Sequence, residues 1–368
     1  VLSDFRWPNS VSLNIFPNFA EITFVVSKKI IVVKFGTAAI TQSSGEPDLN
    51  ILKKIAAEVA SVQKDYHVII VSSGAVGAGK AFIHKYKGTL SQRKAAASIG
   101  NPLLINIYSQ VFAPFGIPIA QGLCERRHFA DRGQFLQLKD TFEELWRNGV
   151  IPIVNENDVV STRELKFSDN DELATLLAAG FGADALMLCT SVGGVLNEGG
   201  EVIPKVADVK DVFRFVRTDK SFLGLGGMAS KLTFAKLATR MGIRVVIFGM
   251  QESQGLLRAL EGKTGTELAS GKSTLSARNR WLGSGGLISG KLQVDHGAEK
   301  AILKRNSLLA VGVTEVSGDF ESGEIVEVNN PAGEAIAVAR ARVASVDLAK
   351  NLKTLNYEVA NANDIVIL

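Results

Sequence analysis

Two cysteines and four histidines among 368 residues leave little room for thiol or imidazole chemistry. Cys124 and Cys189 both lie in apolar surroundings, so no disulfide framework is expected and a reducing compartment such as the cytoplasm fits. No spacing of His, Cys, Asp or Glu matches a metal-ligand pattern, so no protein metal site is expected. A long uncharged apolar run is lacking too. The most apolar stretch, Thr175 to Leu196, contains Asp184, Gly180, Gly182, Gly193 and Gly194, and reads as helix, turn and buried strand rather than a membrane span. Val1 to Glu21 scatters Asp4, Arg6 and Glu21 among apolar residues without a basic start or continuous apolar centre, so no secretion signal is expected.

What is present fits a folded chain with a sizeable core: 46% of residues are hydrophobic and 21% charged. The length favours two domains. The formal charge of +4 is unevenly placed. From Gly285 to Leu368 there are 8 Lys+Arg against 11 Asp+Glu, a net of −3, which leaves +7 for the preceding residues. The positive balance therefore lies with the larger part, and the acidic remainder argues against a nucleic-acid surface.

Lys29 to Phe35 is a β-branched apolar run ending at Gly36, and reads as a buried strand. Asp48 to Asp65 places Leu49, Leu52, Ile55, Ala56, Val59 and Val62 at helical spacing, and Val68 to Val71 returns to strand. The alternation continues through helices at 93–112, 134–147, 171–180, 228–241 and near 254–260, and strands at 117–121, 150–154, 185–189 and 244–248. Such alternation of apolar strands with helices predicts an α/β fold with a parallel sheet covered on both faces. From 263 to 284 Gly, Ser, Thr and Arg dominate, as in a linker. Beyond it, strands expected at 287–294, 309–316, 324–328 and 335–342, with a single helix at 298–305, predict a small β-barrel-like domain. The expected organisation is an extension of unknown role over 1–27, a catalytic domain over 28–262, a linker over 263–284 and a β-rich domain over 285–368.

Four constellations could carry chemistry. Ser72-Ser73-Gly74-Ala75-Val76-Gly77-Ala78-Gly79-Lys80 follows a strand and opens a helix, where open sheets bind ligands and glycines admit an anion to the backbone. It nearly matches a P-loop, but Ala81 stands where a magnesium-binding hydroxyl is needed, and its glycines could equally allow close helix packing. Asn155-Glu156-Asn157-Asp158 and Ser168-Asp169-Asn170-Asp171 form two polar clusters, the first after a strand and the second before a helix. One of their residues could merely cap the helix, but acids and amides together suit an ammonium-bearing substrate. Gly224-Leu225-Gly226-Gly227-Met228-Ala229-Ser230-Lys231 places glycines before a helix and a lysine in its first turn, a position that calls for an anion unless the side chain snorkels to water. Lys34 is a charge in an apolar strand, costly unless it meets a phosphate or carboxylate.

In this order and spacing the motifs resemble the amino-acid-kinase family, and within it the members that phosphorylate glutamate. From about Lys29 to Leu368 the chain is similar to those enzymes, with the C-terminal portion similar to a PUA domain. The resemblance implies a three-layer αβα sandwich with a mainly parallel sheet. It implies transfer of the ATP γ-phosphoryl group to the γ-carboxylate of L-glutamate, the first step of proline synthesis, with Mg2+ bridging the nucleotide phosphates. Ser73, Asp158 and Asn170 would hold glutamate, with Asp169 nearby. Lys34 and Lys231 would neutralise the transferring phosphoryl group and Asp171 would orient them. Thr190, Ser191, Gly226, Gly227 and Met228 would join both lysines around the nucleotide. A dimer or tetramer and feedback inhibition by proline are likewise implied. The chain departs from the family at Ser191, where an Asp is usual, and at Leu225 and Ala229, where hydroxyl residues are typical. Rival readings are an acetylglutamate or aspartate kinase, an RNA-binding protein, and a regulator impaired in nucleotide binding.

Overall fold

The computed structural model describes residues 28–125, 128–129, 131–159, 170–207, 209, 211–212, 227–251, 253–270, 288–320, 322 and 325–367. Its main sheet has eight strands in the order β3-β4-β2-β1-β5-β7-β8-β6. These are β1 Lys29–Phe35, β2 Tyr66–Ser72, β3 Ile119–Cys124, β4 Ile151–Glu156, β5 Ala185–Cys189, β6 Lys205–Val206, β7 Arg244–Phe248 and β8 Thr266–Leu268. All neighbours run parallel except β7 and β8.

Strand alternation divides the core in two. Val32 on β1 packs with α5 Arg132–Arg147, α6 Asn170–Phe181 and α7 Met228–Arg240. Ile31, Val33 and Phe35 point the other way, against α2 Leu49–Gln63, α4 Leu90–Phe112 and α8 Gly255–Leu260. The result is the αβα sandwich expected from the resemblance. Lys34 shares the parity of Val32 and therefore faces α6 and α7. Two short helices, α1 Thr37–Ile40 and α3 Ala75–Gly79, follow β1 and β2.

Local chemistry fixes the helix starts. Asp48 caps α2 by accepting from Asn50 N and Ile51 N, and a Thr89/Gln92 capping box opens α4. The α3–α4 contact depends on glycine. An added Cβ on Gly79 would lie 1.9 Å from Ala96 O, one on Gly100 1.7 Å from Ala75 O, and one on Gly77 2.2 Å from Gly45 O. Lys80 Nζ donates to Ser44 O, so the lysine of the P-loop-like stretch is engaged by backbone. Of the two readings of that stretch, close packing is what the structure gives Gly77 and Gly79.

Two departures from the expected elements have physical causes. Residues 266–268, within the expected linker, form β8 beside β7; three residues are too few to show a period, and Gly262 and Gly265 around them read as loop. The C-terminal part contains not one helix but α9 His296–Leu303 and α10 Ser345–Lys350, the second again too short to signal itself. Around them lie a five-stranded sheet, β11-β9-β12-β13-β15, and a two-stranded one, β10-β14. These strands are β9 Ile288–Val294, β10 Leu308–Leu309, β11 Val313–Gly318, β12 Ile325–Asn329, β13 Ala335–Arg340, β14 Glu358–Ala360 and β15 Ile365–Ile367. A core that includes Leu292, Ile302, Val326 and Leu348 fills this part.

Candidate active site

The carboxyl ends of β1, β2, β4 and β5 gather the polar residues, as the ligand rule for open parallel sheets predicts. Lys34, penultimate in β1, is paired in register with Val71 of β2 and Leu188 of β5 and is 2% exposed. Its ammonium lies 2.6 Å from Asp171 Oδ1. Lys231, in the first turn of α7 and 6% exposed, donates to Asp171 Oδ2 at 3.1 Å. Asp171 is wholly buried at the start of α6, where a helix N-terminus favours an anion. Burial pushes its carboxyl up, but Lys34 and Lys231 together outweigh that and hold it below the usual carboxylate range. Lys34 and Lys231 thus converge on one buried carboxylate, and two buried ammonium groups side by side suit an anionic ligand.

One residue before Asp171 the site changes character. The Asn170 amide nitrogen donates to Ser73 Oγ at 2.9 Å, to Ser72 O at 3.3 Å and to Asn155 Oδ1 at 3.0 Å. Ser73 is held in turn, its backbone N–H donating to Phe35 O at 3.0 Å. Gly74, at φ +102°, turns the chain there into α3, a conformation that disfavours any side chain. Below this cradle the Ser72 and Tyr108 hydroxyls meet at 2.9 Å; burial pushes the Tyr108 phenol well up, so it stays protonated. Asp158 lies beyond the end of β4, 8% exposed. Burial, assisted by Glu156 and opposed by Arg93 and Lys94, pushes its carboxyl up to about 6.

On the other flank, Thr190 N donates to Phe248 O at 2.7 Å and Ser191 O accepts from Gln251 Nε2, which ties the end of β5 to the end of β7. Gly227 precedes α7 with no side-chain cap, so the first N–H groups of that helix have no side-chain acceptor from the cap position. Met228 is half-buried beside it. Asp169 and Gly226 lie outside the described residues.

The structure thus brings Lys34, Lys231 and Asp171 together and sets Ser73 and Asn170 in hydrogen-bond contact. Sequence reasoning left out Asn101 and Tyr108, and carried Asn155 only within its polar cluster, without a role of its own. A signal existed for the first two: Asn101 and Tyr108 share the apolar stripe Ala97, Leu104 and Val111 of α4, where a buried polar group needs a partner. Cys124 and Cys189 are both buried and free, and burial pushes each thiol up to about 12, which keeps it protonated.

Comparison with known proteins agrees with this geometry. Residues 29–249 match the model of the amino acid kinase family and residues 290–359 that of the PUA domain. The chain is 36% identical to the glutamate 5-kinase of Proteus mirabilis over 323 residues, covering 84% of this chain and 88% of that protein. It is 36% identical to the glutamate 5-kinase of Vibrio vulnificus over 364 residues, or 92% and 96%, and 35% identical to that of Moorella thermoacetica over 362 residues, with the same coverage. A family model that spans most of the chain, with relatives similar along nearly all of it, places the identity beyond the level of fold: the chain is a member of the amino acid kinase family.

Proposed function

We propose that this chain phosphorylates the γ-carboxylate of L-glutamate with ATP, giving γ-glutamyl phosphate for proline synthesis. The observation that carries the reading is the convergence of Lys34 and Lys231, 197 positions apart (231 − 34), on one buried carboxylate. A carboxylate oxygen of glutamate attacks the γ-phosphorus, the bond to the bridging oxygen breaks, and ADP departs with that electron pair. The nucleophile is already ionised at neutral pH, so no strong general base is needed, and catalysis reduces to positioning and charge neutralisation. Lys34 and Lys231 neutralise the migrating group while Asp171 holds both in place. Ser73, Asn170 and Asp158, with Asp169, hold glutamate. Thr190, Ser191, Gly227 and Met228 lie on the nucleotide side, and Gly226 belongs to the same proposed set.

Among the described residues no three His, Cys, Asp or Glu side chains group to hold a metal. Mg2+ would be carried in on the nucleotide phosphates and would supply charge neutralisation there, with Lys34 and Lys231 facing the same phosphates from the protein. No helix among the described residues is long and apolar enough to cross a membrane. A cytoplasmic location, assembly as a dimer or tetramer, and feedback inhibition by proline belong to the same reading; sedimentation and a proline titration of activity check the last two.

With Mg2+-ATP, glutamate and hydroxylamine, the purified chain should form γ-glutamyl hydroxamate. Parallel reactions with acetylglutamate and aspartate should give far less. Equal or greater product from either competitor would replace glutamate as the substrate.

A further inference from the structure

The amide of an asparagine can be turned by half a revolution without changing its shape, but here backbone groups fix two of them. Ser72 O can only accept, so the Asn170 atom 3.3 Å from it is the nitrogen. Glu156 N–H can only donate, so the Asn155 atom 2.9 Å from it is the oxygen. The Asn155 nitrogen is thereby left to donate to Asn101 Oδ1, at 2.9 Å and out of contact with solvent. Asn101 is 6% exposed in the middle of α4, on the helix side turned to the core. At the far end of this relay, Asn170 Oδ1 is buried and has no hydrogen-bond partner among the described residues.

A buried carbonyl oxygen without a donor is destabilising, and a ligand that brings a donor relieves it. Carboxylates and the terminal phosphate of a nucleotide are acceptors at neutral pH, whereas the ammonium of a free amino acid is all donor. We propose that Asn101 is a positioning residue for substrate recognition: through Asn155 it locks Asn170 so that Oδ1 faces the ammonium group of the amino-acid substrate. The inference rests on the glutamate reading above and adds the device that reads the amino end. Asn101 itself touches no substrate. Without its oxygen, Asn155 has a buried N–H group to satisfy and only Glu156 N–H to hold its orientation, so its contact with Asn170 loosens and Asn170 is held by Ser72 O and Ser73 Oγ alone.

Glutarate is glutamate without the ammonium, so the pair isolates that contact. The measurements are the KM of glutamate, the inhibition constant of glutarate against it, and the KM of ATP, in the wild type, Asn101→Ala and Asn101→Asp. Asn101→Ala should raise the KM of glutamate about tenfold, the size of one buried hydrogen bond, while glutarate and ATP change by less than about twofold. Asn101→Asp keeps an acceptor for Asn155 and should recover most of the loss. Equal weakening of glutamate and glutarate, or an unchanged KM of glutamate, overturns the assignment. If Asn101→Ala does not fold, Asn101→Ser carries the same comparison under the same criteria. A wild type that turns over no glutamate at all overturns the functional reading first, and the inference with it.

Discussion

Asn170 and Asp171 are neighbours in sequence, yet they anchor two half-sites that obey opposite electrostatic rules. Around Asp171 the contacts are ionic: Lys34 and Lys231 meet one buried carboxylate. Around Asn170 they are neutral, with amides and hydroxyls from Ser73, Asn155 and Asn101 linked at 2.9–3.0 Å. The first half suits an anion whose charge grows or moves, because fixed ammonium groups in a dry site act strongly on it. The second suits recognition, because neutral groups with fixed donors and acceptors discriminate without the cost of burying a charge. The comparison teaches that, in the proposed reading, the start of α6 is where transfer and recognition meet.

The sharpest way to break this division is Lys231→Ala. Lys34 and Asp171 then stay paired, so the fold should keep nearly its original Tm. Turnover should fall by about a thousandfold or more, as when a group that stabilises transition-state charge is lost, while the KM of glutamate stays within a few-fold. Unchanged turnover would refute the role given to Lys231. Asp171→Asn makes the converse test. It leaves two buried ammonium groups without their carboxylate, and stability should drop by about 4 kcal/mol, the cost of breaking a buried ion pair on one side. Mg2+-ATP should restore part of the lost Tm, since its phosphates supply the missing negative charge; a Tm like that of the wild type, with or without nucleotide, would show that Asp171 does not balance the lysines.

The transfer half was more legible in the sequence than the recognition half. Lys34 announced itself as a charge in an apolar strand, and Lys231 as a cation in a first helical turn after glycines. Burial makes such residues conspicuous because an unpaired charge cannot remain there. Asp171 could be assigned to both lysines only through resemblance, since nothing in a linear pattern says which carboxylate two distant cations share. The amide relay left a weaker trace. An Asn within the apolar stripe of α4 is a single polar letter, and its partner Asn155 lies 54 positions away. The glycines of the P-loop-like stretch show why the rest was hidden: a phosphate cradle and a close helix contact ask for the same residue. The approaches of Ala96 O to Gly79 and of Gly45 O to Gly77 separate them. Strand alternation, by contrast, made the covered parallel sheet readable, because every apolar strand needed two faces buried.

Asp158 offers the finest test, because it is a charge placed in the half-site otherwise built from neutral groups. Its folded pKa, pushed up to about 6 by burial and by Glu156 against Arg93 and Lys94, lies above the unfolded value of 3.8. Between these values the folded chain holds the additional proton, so stability declines as pH rises through that window and the full deficit is present above it. A difference of about two units is worth at most roughly 3 kcal/mol. Asp158→Asn removes the deficit: without ligand the variant should melt higher than the wild type at pH 8, and the gain should vanish near pH 3, where the carboxyl is protonated in both states. The same change should raise the KM of glutamate if Asp158 holds that substrate as proposed. Wild-type affinity for glutamate should accordingly weaken as pH falls below about 6 while ATP affinity follows its own course. Equal melting of the two proteins at pH 8 and pH 3, with the KM of glutamate unaltered, would show that this acid is neither strained in the free protein nor used in the bound one.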